Sequence, residues 1–239
     1  GEKDLNGFMN GYPYKYFDST FEFHEEFITD SSVLKKYLIN KFKLKGELSE
    51  KIRFVKTPII NPINKSEKII TEKFRVYWAG RLDHQKRPDI LSKIAAKLPQ
   101  FEFFVWGKPI VKDWSYHLKN IKNINYMGVY SNIYEIDFSK KSAWLYTSEW
   151  DGFPHILLEV ALLKIPICSS YCGGISDELN NDNSYIVRNL ENIDEYVENL
   201  IAISSDPEKA HLKAENFYKR IMKERSYENF SNSLDGIIK

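Results

Sequence analysis

The chain has 239 residues, of which 43% are hydrophobic and 15% aromatic, enough apolar side chain for one large or two small packed cores and unlike a disordered protein. Its 34 basic and 33 acidic residues leave a net charge of +1, which excludes the broad basic field of a nucleic-acid binder, so nucleic acid is not an expected partner. The two cysteines, Cys168 and Cys172, cannot frame a disulfide scaffold or complete a metal site, and no run reaches the ~18 apolar residues of a membrane span. Without a signal-peptide pattern, the chain reads as cytoplasmic with reduced thiols, peripheral contact at the inner face of a membrane being the compatible alternative.

The chain opens on Gly1 and runs through Asn-, Gly- and Tyr-rich sequence from Asn6 to Tyr14 with no element signal, as expected of a piece of a longer polypeptide. Residues 25–30 read as a short strand, and Asp30-Ser31-Ser32 is an N-cap signal for a helix over 33–42. Lys45-Gly46-Glu47 ends that region, and residues 51–55 alternate like a second strand. Pro58, Asn61, Pro62 and Asn64 then make a polar, proline-punctuated stretch to about Lys68, with the composition of a linker. The expected division is a strand–helix–strand segment with its linker over 1–68 and a second unit over 69–239.

From residue 74 the pattern becomes regular. Residues 74–79 read as a strand ending at Gly80-Arg81, and Ile90, Leu91, Ile94, Ala95 and Leu98 recur at helical spacing over 88–98. A strand over 101–106 is closed by Gly107, and a helix is expected over 115–120. A strand over 124–127 before Gly128, a helix over 133–140, a strand over 143–147 and a helix ending at Leu163 follow. The next strand, 166–169, leads to Cys172-Gly173-Gly174, a short helix over 175–180, a last strand over 184–187 and amphipathic helices over 193–204 and 207–223. This repeated alternation predicts an α/β fold with a Rossmann-like, doubly wound parallel sheet. Ligands bind such sheets at the carboxyl ends of the strands, so Gly80-Arg81, Gly107, Gly128, the turn at Asp151 and Gly173-Gly174 are expected along one edge.

Residues 148–159 join a buried strand to a buried helix through a turn containing Gly152 and Pro154. Backbone N–H groups at the start of that helix could hold an anion or a set of hydroxyls. Asp151 and Glu159 frame the turn at D-x7-E spacing, one before the helix and one about two turns into it. A capping Asp151 and a solvated Glu159 are the plainer reading. Residues 80–89 place Arg81, Lys86 and Arg87 in a loop that opens on a helix N-terminus, which favours a phosphate or diphosphate, a solvated basic loop being the alternative. His155 reads as a sugar-pocket donor or an ordinary loop histidine, and His84 likewise. Trp106, Trp114 and Trp144 read as core.

Taken in order, three motifs over roughly residues 74–227 resemble the retaining nucleotide-sugar glycosyltransferases of the GT-B fold, known as glycosyl transferases group 1. They are Gly80-Arg81 with Lys86 at R-x4-K spacing, Glu149-Trp150-Asp151-Gly152-Phe153-Pro154 leading to Leu157-Leu158-Glu159, and Ile165-Pro166-Ile167 running to Gly173-Gly174. The resemblance implies the C-terminal, donor-binding half of a GT-B fold. The truncated N-terminal segment would be a remnant of the other half, and the helix near Arg225 to Phe230 a tail that crosses back in relatives. The missing N-terminal domain of the same polypeptide would then be a partner.

The resemblance further implies a nucleotide-diphosphate sugar as substrate, no cofactor and no metal. The sugar, a hexose, would pass with retention to a glycan or lipid-linked acceptor in polysaccharide or cell-envelope glycan synthesis. By position, Arg81 and Lys86 would hold the donor diphosphate and stabilise the charge that grows on it as the glycosidic bond breaks. Asp151 would contact hydroxyls of the transferred sugar and Glu159 those of the ribose. Gly80, Glu149, Gly152, Phe153, Pro154, His155, Ile156, Gly173 and Gly174 would complete the donor site. Asp151 stands where the family usually carries Glu, one methylene shorter. A non-catalytic binding or scaffolding module of the same fold is the competing reading, and a nucleotide-sugar epimerase a third.

Overall fold

The computed structural model describes residues 26–59, 68–109 and 114–237. The stretch from Asn6 to Tyr14 and the linker residues Asn61, Pro62 and Asn64 lie outside the described residues. Strands β1 (Phe27–Thr29) and β2 (Ile52–Phe54) pair in parallel, joined through helix α1 (Ser32–Lys41) and the single turn α2 (Glu47–Glu50). The cap signal is used as read: the Ser31 hydroxyl accepts hydrogen bonds from the N–H groups of Val33 and Leu34. The turn α2 was not visible as an element in the sequence, being too short to show a period.

The larger sheet is built from β3 (Arg75–Ala79), β4 (Glu102–Trp106), β5 (Ile124–Gly128), β6 (Ser142–Tyr146), β7 (Ile167–Ser170) and β8 (Tyr185–Val187). Its order is β5-β4-β3-β6-β7-β8 and every pairing is parallel, the doubly wound topology expected from the alternation. The helices are α3 (Pro88–Lys97), α4 (His155–Leu162), α5 (Ile193–Ser205), α6 (Pro207–Glu224) and α7 (Tyr227–Asp235). Two-residue alternation decides which side each strand residue serves. Val76, Trp78 and Leu145 join Ile90, Ile94 and Leu200 of α3 and α5 in one core, while Tyr77, Trp144 and Tyr146 join Leu157, Val160 and Phe217 of α4 and α6 in the other. All five residues of β6 are buried, which is why residues 143–146 read as a continuous apolar run rather than an alternating one. No helix among the described residues is long and apolar enough to cross a membrane.

Three expected helices are shorter and tighter than their sequence pattern. Residues 115–120 and 175–180 become 3-10 turns at Ser115–Leu118 and Gly173–Asp177. The helix expected over 133–140 is a 3-10 turn only at Ile133–Glu135, after which the chain extends. The cause is non-local: Ile69 N–H donates to Phe138 O and Lys140 N–H to Ile69 O, forming a parallel bridge between Ile69 and Ser139. The Tyr77 hydroxyl accepts from Ser139 N–H at 2.9 Å, fixing the same strap from inside the core.

The β1–α1–β2 segment is tied to the larger sheet by polar contacts. Asp177 accepts from the N–H of Ser32 at 2.8 Å and from its hydroxyl at 2.5 Å. Ile59 N–H donates to Arg225 O at 2.8 Å, and Arg225 Nη1 donates to Thr57 O at 2.9 Å. Arg225, 1% exposed, also donates through Nη2 to Oε1 of Glu178, which is fully buried, at 3.0 Å. Lys56 Nζ lies 2.9 Å from the same oxygen and Arg220 Nε 3.4 Å from Oε2. The Arg225 guanidinium stacks 4.5 Å from the centre of the Phe153 ring. A buried ion pair holds only when its members keep their partners, and removing one leaves a charge without compensation. Arg225→Met is therefore expected to destabilise the protein by about 3 kcal/mol in urea unfolding, the low end of such losses because Lys56 and Arg220 still face Glu178.

Candidate functional site

The chain leaves β3 toward β4 on one side and later returns to β6 on the other, so the loops after β3 and β6 diverge and open a crevice between them. A cavity of about 660 Å³ lies there, walled by Ala79, Gly80, Arg81 and Lys86 after β3, and by Asp151, Phe153, Pro154, His155 and Ile156 before and within α4. Trp106, Gly107 and Lys108 after β4, Val129 and Tyr130 after β5, and Asp30 after β1 complete it.

The two principal loops are fastened to each other. Gln85 O accepts from Glu149 N–H at 2.8 Å, and Gln85 Nε2 donates to Trp150 O at 3.0 Å. Deeper, the Thr147 hydroxyl donates to Lys86 O at 2.7 Å and accepts from the Trp78 indole at 2.9 Å. These bonds fix the positions from which Lys86 and Asp151 reach the cavity. The Lys86 ammonium pairs with Asp151 Oδ2 and donates to the Tyr146 hydroxyl at 3.2 Å, and that hydroxyl itself donates to Asp151 Oδ2. Burial first, and the neighbouring Asp151 charge second, push the Tyr146 phenol well above its ordinary range, so it remains a donor at neutral pH. Arg81 is roughly half exposed, donating to Gln85 Oε1 and lying 3.1 Å from Asp83 Oδ2.

Asp151 does not cap α4. Pro154 occupies the cap position with no side-chain cap bond, and His155 and Ile156, whose N–H groups begin the helix, line the cavity. The Phe153 N–H donates to Asp30 Oδ2 at 3.3 Å, and a Cβ on Gly152 would come within 2.7 Å of both Asp30 carboxylate oxygens. Gly173 has φ +49°, and a Cβ there would lie 1.9 Å from Asp151 O; one on Gly174 would lie 2.6 Å from Gly152 O. These glycines admit the chain's own backbone behind the Asp151 turn, with Gly174 N–H donating to Asp151 O at 3.1 Å.

Of the residues singled out in the sequence, Gly80, Arg81, Lys86, Asp151, Phe153, Pro154, His155 and Ile156 meet in the cavity wall, and Gly152, Gly173 and Gly174 support it from behind. Glu149 does not join the wall: its carboxylate turns to His84 Nδ1 at 3.3 Å and toward Arg87, 4.0 Å away. Glu159 sits one turn beyond His155, half-buried, where its charge acts on Tyr130 and Tyr134. Burial raises the Glu159 carboxyl above its ordinary value against an opposing pull from His155, and Tyr130 is pushed up to about 12 by burial and then by Glu159. Trp144 is core as read, whereas Trp106 is buried in the core and also borders the cavity.

Asp30, Tyr130 and the Tyr146 hydroxyl were not anticipated. Only Tyr146 carried a signal, as a tyrosine at the carboxyl end of the buried apolar run 143–146. Cys172 is pushed up to about 12, chiefly by burial, and Cys168 is likewise raised, so neither is an available thiolate. No group of three or more His, Cys, Asp and Glu among the described residues is placed to hold a metal ion.

A profile of the family glycosyl transferases group 1 matches residues 60–220, more than half of the chain. The O-antigen biosynthesis glycosyltransferase WbnH of Escherichia coli is 29% identical over 119 residues, 49% of this chain and 34% of WbnH. The chain thus spans about a third of the length of that curated relative. Among solved structures, a variant of S. aureus TarM in complex with fondaparinux, alpha-GlcNAc-glycerol and UDP superposes with a TM-score of 0.83 at 18% identity, covering 99% of this chain and 48% of TarM. Anabaena HepE in complex with UDP and glucose superposes with a TM-score of 0.77 at 13% identity, covering 98% of this chain and 70% of HepE. The likenesses show a fold shared with GT-B glycosyltransferase structures.

The raised Glu159 pKa has a definite sign for stability. A carboxyl that is harder to ionise in the folded state weakens the fold once the pH exceeds its folded pKa, and this penalty is absent below its unfolded value. Glu159→Gln is expected to raise Tm, relative to wild type, more at about pH 7 than at about pH 4, because only the higher pH charges the carboxyl. Thermal unfolding followed by circular dichroism at both pH values checks this; an equal difference at both contradicts it.

Proposed function

Because the chain belongs to the glycosyl transferases group 1 family, we propose that its cavity binds a nucleotide-diphosphate sugar and that the full polypeptide transfers the sugar with retention. The observation that carries this reading is the meeting of Lys86 with Asp151 beside the start of α4, in the crevice between β3 and β6. The diphosphate lies against Lys86, Arg81 and the first N–H groups of α4, because cations and a helix N-terminus both favour an anion. Breaking the bond between the sugar and the diphosphate moves negative charge onto the departing phosphate. Lys86 and Arg81 stabilise that charge from fixed positions, so the interaction grows toward the transition state.

Asp151 accepts hydrogen bonds from hydroxyls of the transferred sugar, and Glu159 from those of the ribose. The acceptor, a glycan or lipid-linked glycan, is held largely by an N-terminal domain of the same polypeptide. The partial coverage of TarM and WbnH supports that part of the reading. The O-antigen role in WbnH's name supports cell-envelope glycan synthesis as the setting, and a hexose as the transferred unit is consistent with it.

Calorimetric titration of this chain with UDP, GDP and ADP tests the reading directly. Binding of at least one diphosphate is expected, and no binding to any of them by a folded chain contradicts it. Glu159→Ala is expected to weaken the bound nucleotide by roughly 1.5–3 kcal/mol, the worth of a charged hydrogen bond to ribose. Lys86→Ala is expected to weaken the diphosphate more than the free nucleoside; equal losses would remove Lys86 from the phosphate.

A further inference from the structure

Tyr146 ends β6 with its ring in the core and its hydroxyl bonded to Lys86 and Asp151, two residues of the cavity wall. It is 2% exposed, and its ring packs in the same cluster as Trp144 and Leu157. A phenylalanine would fill that apolar space without bringing a polar group that must find partners. The hydroxyl instead accepts from Lys86 Nζ at 3.2 Å and donates to Asp151 Oδ2, the same oxygen that the Lys86 ammonium contacts. Two donors therefore converge on Oδ2, and among the described residues no donor reaches Oδ1. Within the described residues, one carboxylate oxygen thus carries both bonds and the other carries none.

The shortness of Asp151 gives this arrangement its purpose. A carboxylate one methylene shorter than glutamate starts farther from the cavity and loses reach. The Tyr146 hydroxyl is in direct hydrogen-bond contact with Asp151 Oδ2, so a carboxylate one methylene longer has to be accommodated against it. We propose that Tyr146 is a positioning residue: it holds Asp151 so that Oδ1 meets a hydroxyl of the donor's sugar, compensating for the missing methylene. The inference rests on the donor-binding reading of the cavity and adds to it a determinant of sugar recognition specific to this chain. Tyr146 also accepts from Lys86, so its role on the sugar side is read from the ratio of conjugate to diphosphate affinity.

The test is calorimetry of the chain with UDP, GDP and ADP and with their glucose conjugates, UDP-glucose, GDP-glucose and ADP-glucose. Tyr146→Phe is expected to weaken the glucose conjugate about fivefold or more beyond any change in the affinity for the preferred diphosphate, the scale of one lost hydrogen bond. Asp151→Glu is expected to weaken the conjugate in the wild-type background, where the longer side chain meets the tyrosine hydroxyl. The same change is expected to restore the conjugate in the Tyr146→Phe background, where that space is open. A merely structural tyrosine would show neither the selectivity for the sugar nor the rescue.

Equal weakening of diphosphate and conjugate, or no change in either, overturns the inference while leaving the donor-binding reading standing. A wild-type chain that binds none of these nucleotides overturns the donor-binding reading itself, and the inference with it. If Tyr146→Phe does not fold, Asp151→Asn removes the charged acceptor while keeping its shape. It is then expected to give the same sugar-selective loss, and an unchanged affinity for the conjugate overturns the inference.

Discussion

Burying both faces of a parallel sheet requires every strand to run the same way, with a helix carrying the chain back each time, so all the carboxyl ends emerge at one edge. The site depends on this constraint. From β3 and β6 the chain winds outward in opposite directions, so the crevice is a product of topology before any side chain fills it. The buried run of β6 secures the centre of the sheet, and its last residue, Tyr146, delivers a hydroxyl to that gap. Packing and chemistry thus meet within one strand.

A crevice alone would leave its charges loosely placed. Here the Gln85 and Thr147 hydrogen bonds stitch the loop after β3 to the loop after β6, so Lys86 and Asp151 face each other across a braced interval. In this partly buried setting each side chain is the other's polar partner. An anion arriving beside Lys86 therefore competes with Asp151 for the ammonium, and a hydroxyl-bearing group adjoining that anion offers the carboxylate a replacement partner. Such an exchange favours ligands that carry both features at the right separation.

Much of the architecture was legible because it rests on local patterns. The cap at Ser31, the apolar run of β6 and the paired amphipathic helices α5 and α6 follow from nearest-neighbour chemistry, and each appears close to its expected bounds. The placing of Arg81, Lys86 and Asp151 along one edge was legible for the same reason, since strand-end loops keep short sequence spacings together, whereas Glu159, one turn into α4, is not among the residues of the cavity wall. What was illegible is long-range. The strap after Ile133 is extended because Ile69, far away in sequence, pairs with it, and Asp30 enters the cavity by contact with Phe153, 123 positions later. Gly173 and Gly174 were placed in the donor site by resemblance, and what the sequence does not show is that a Cβ at either would meet the backbone of the Asp151 turn, because a glycine's sequence signal is the same whatever occupies that space. Glu149 stands two residues from Asp151, and its orientation was set by His84 and Arg87 rather than by that proximity.

The buried Arg225 joins parts of the chain that meet nowhere else in sequence: its guanidinium bonds Thr57 on the way out of β2, pairs with Glu178 after β7, and covers the ring of Phe153 at the start of α4. Phe153 in turn donates its N–H to Asp30, at the end of β1. These contacts close a mechanical loop through the β1–α1–β2 segment, the tail before α7 and the cavity wall. Close-packed interiors resist gradual deformation, so a tilt of that segment is borne at both ends of Phe153, by its ring and by its amide. The first turn of α4 is consequently geared to the orientation of the neighbouring segment, and the shape of the cavity becomes a readout of how the two parts of the chain are seated.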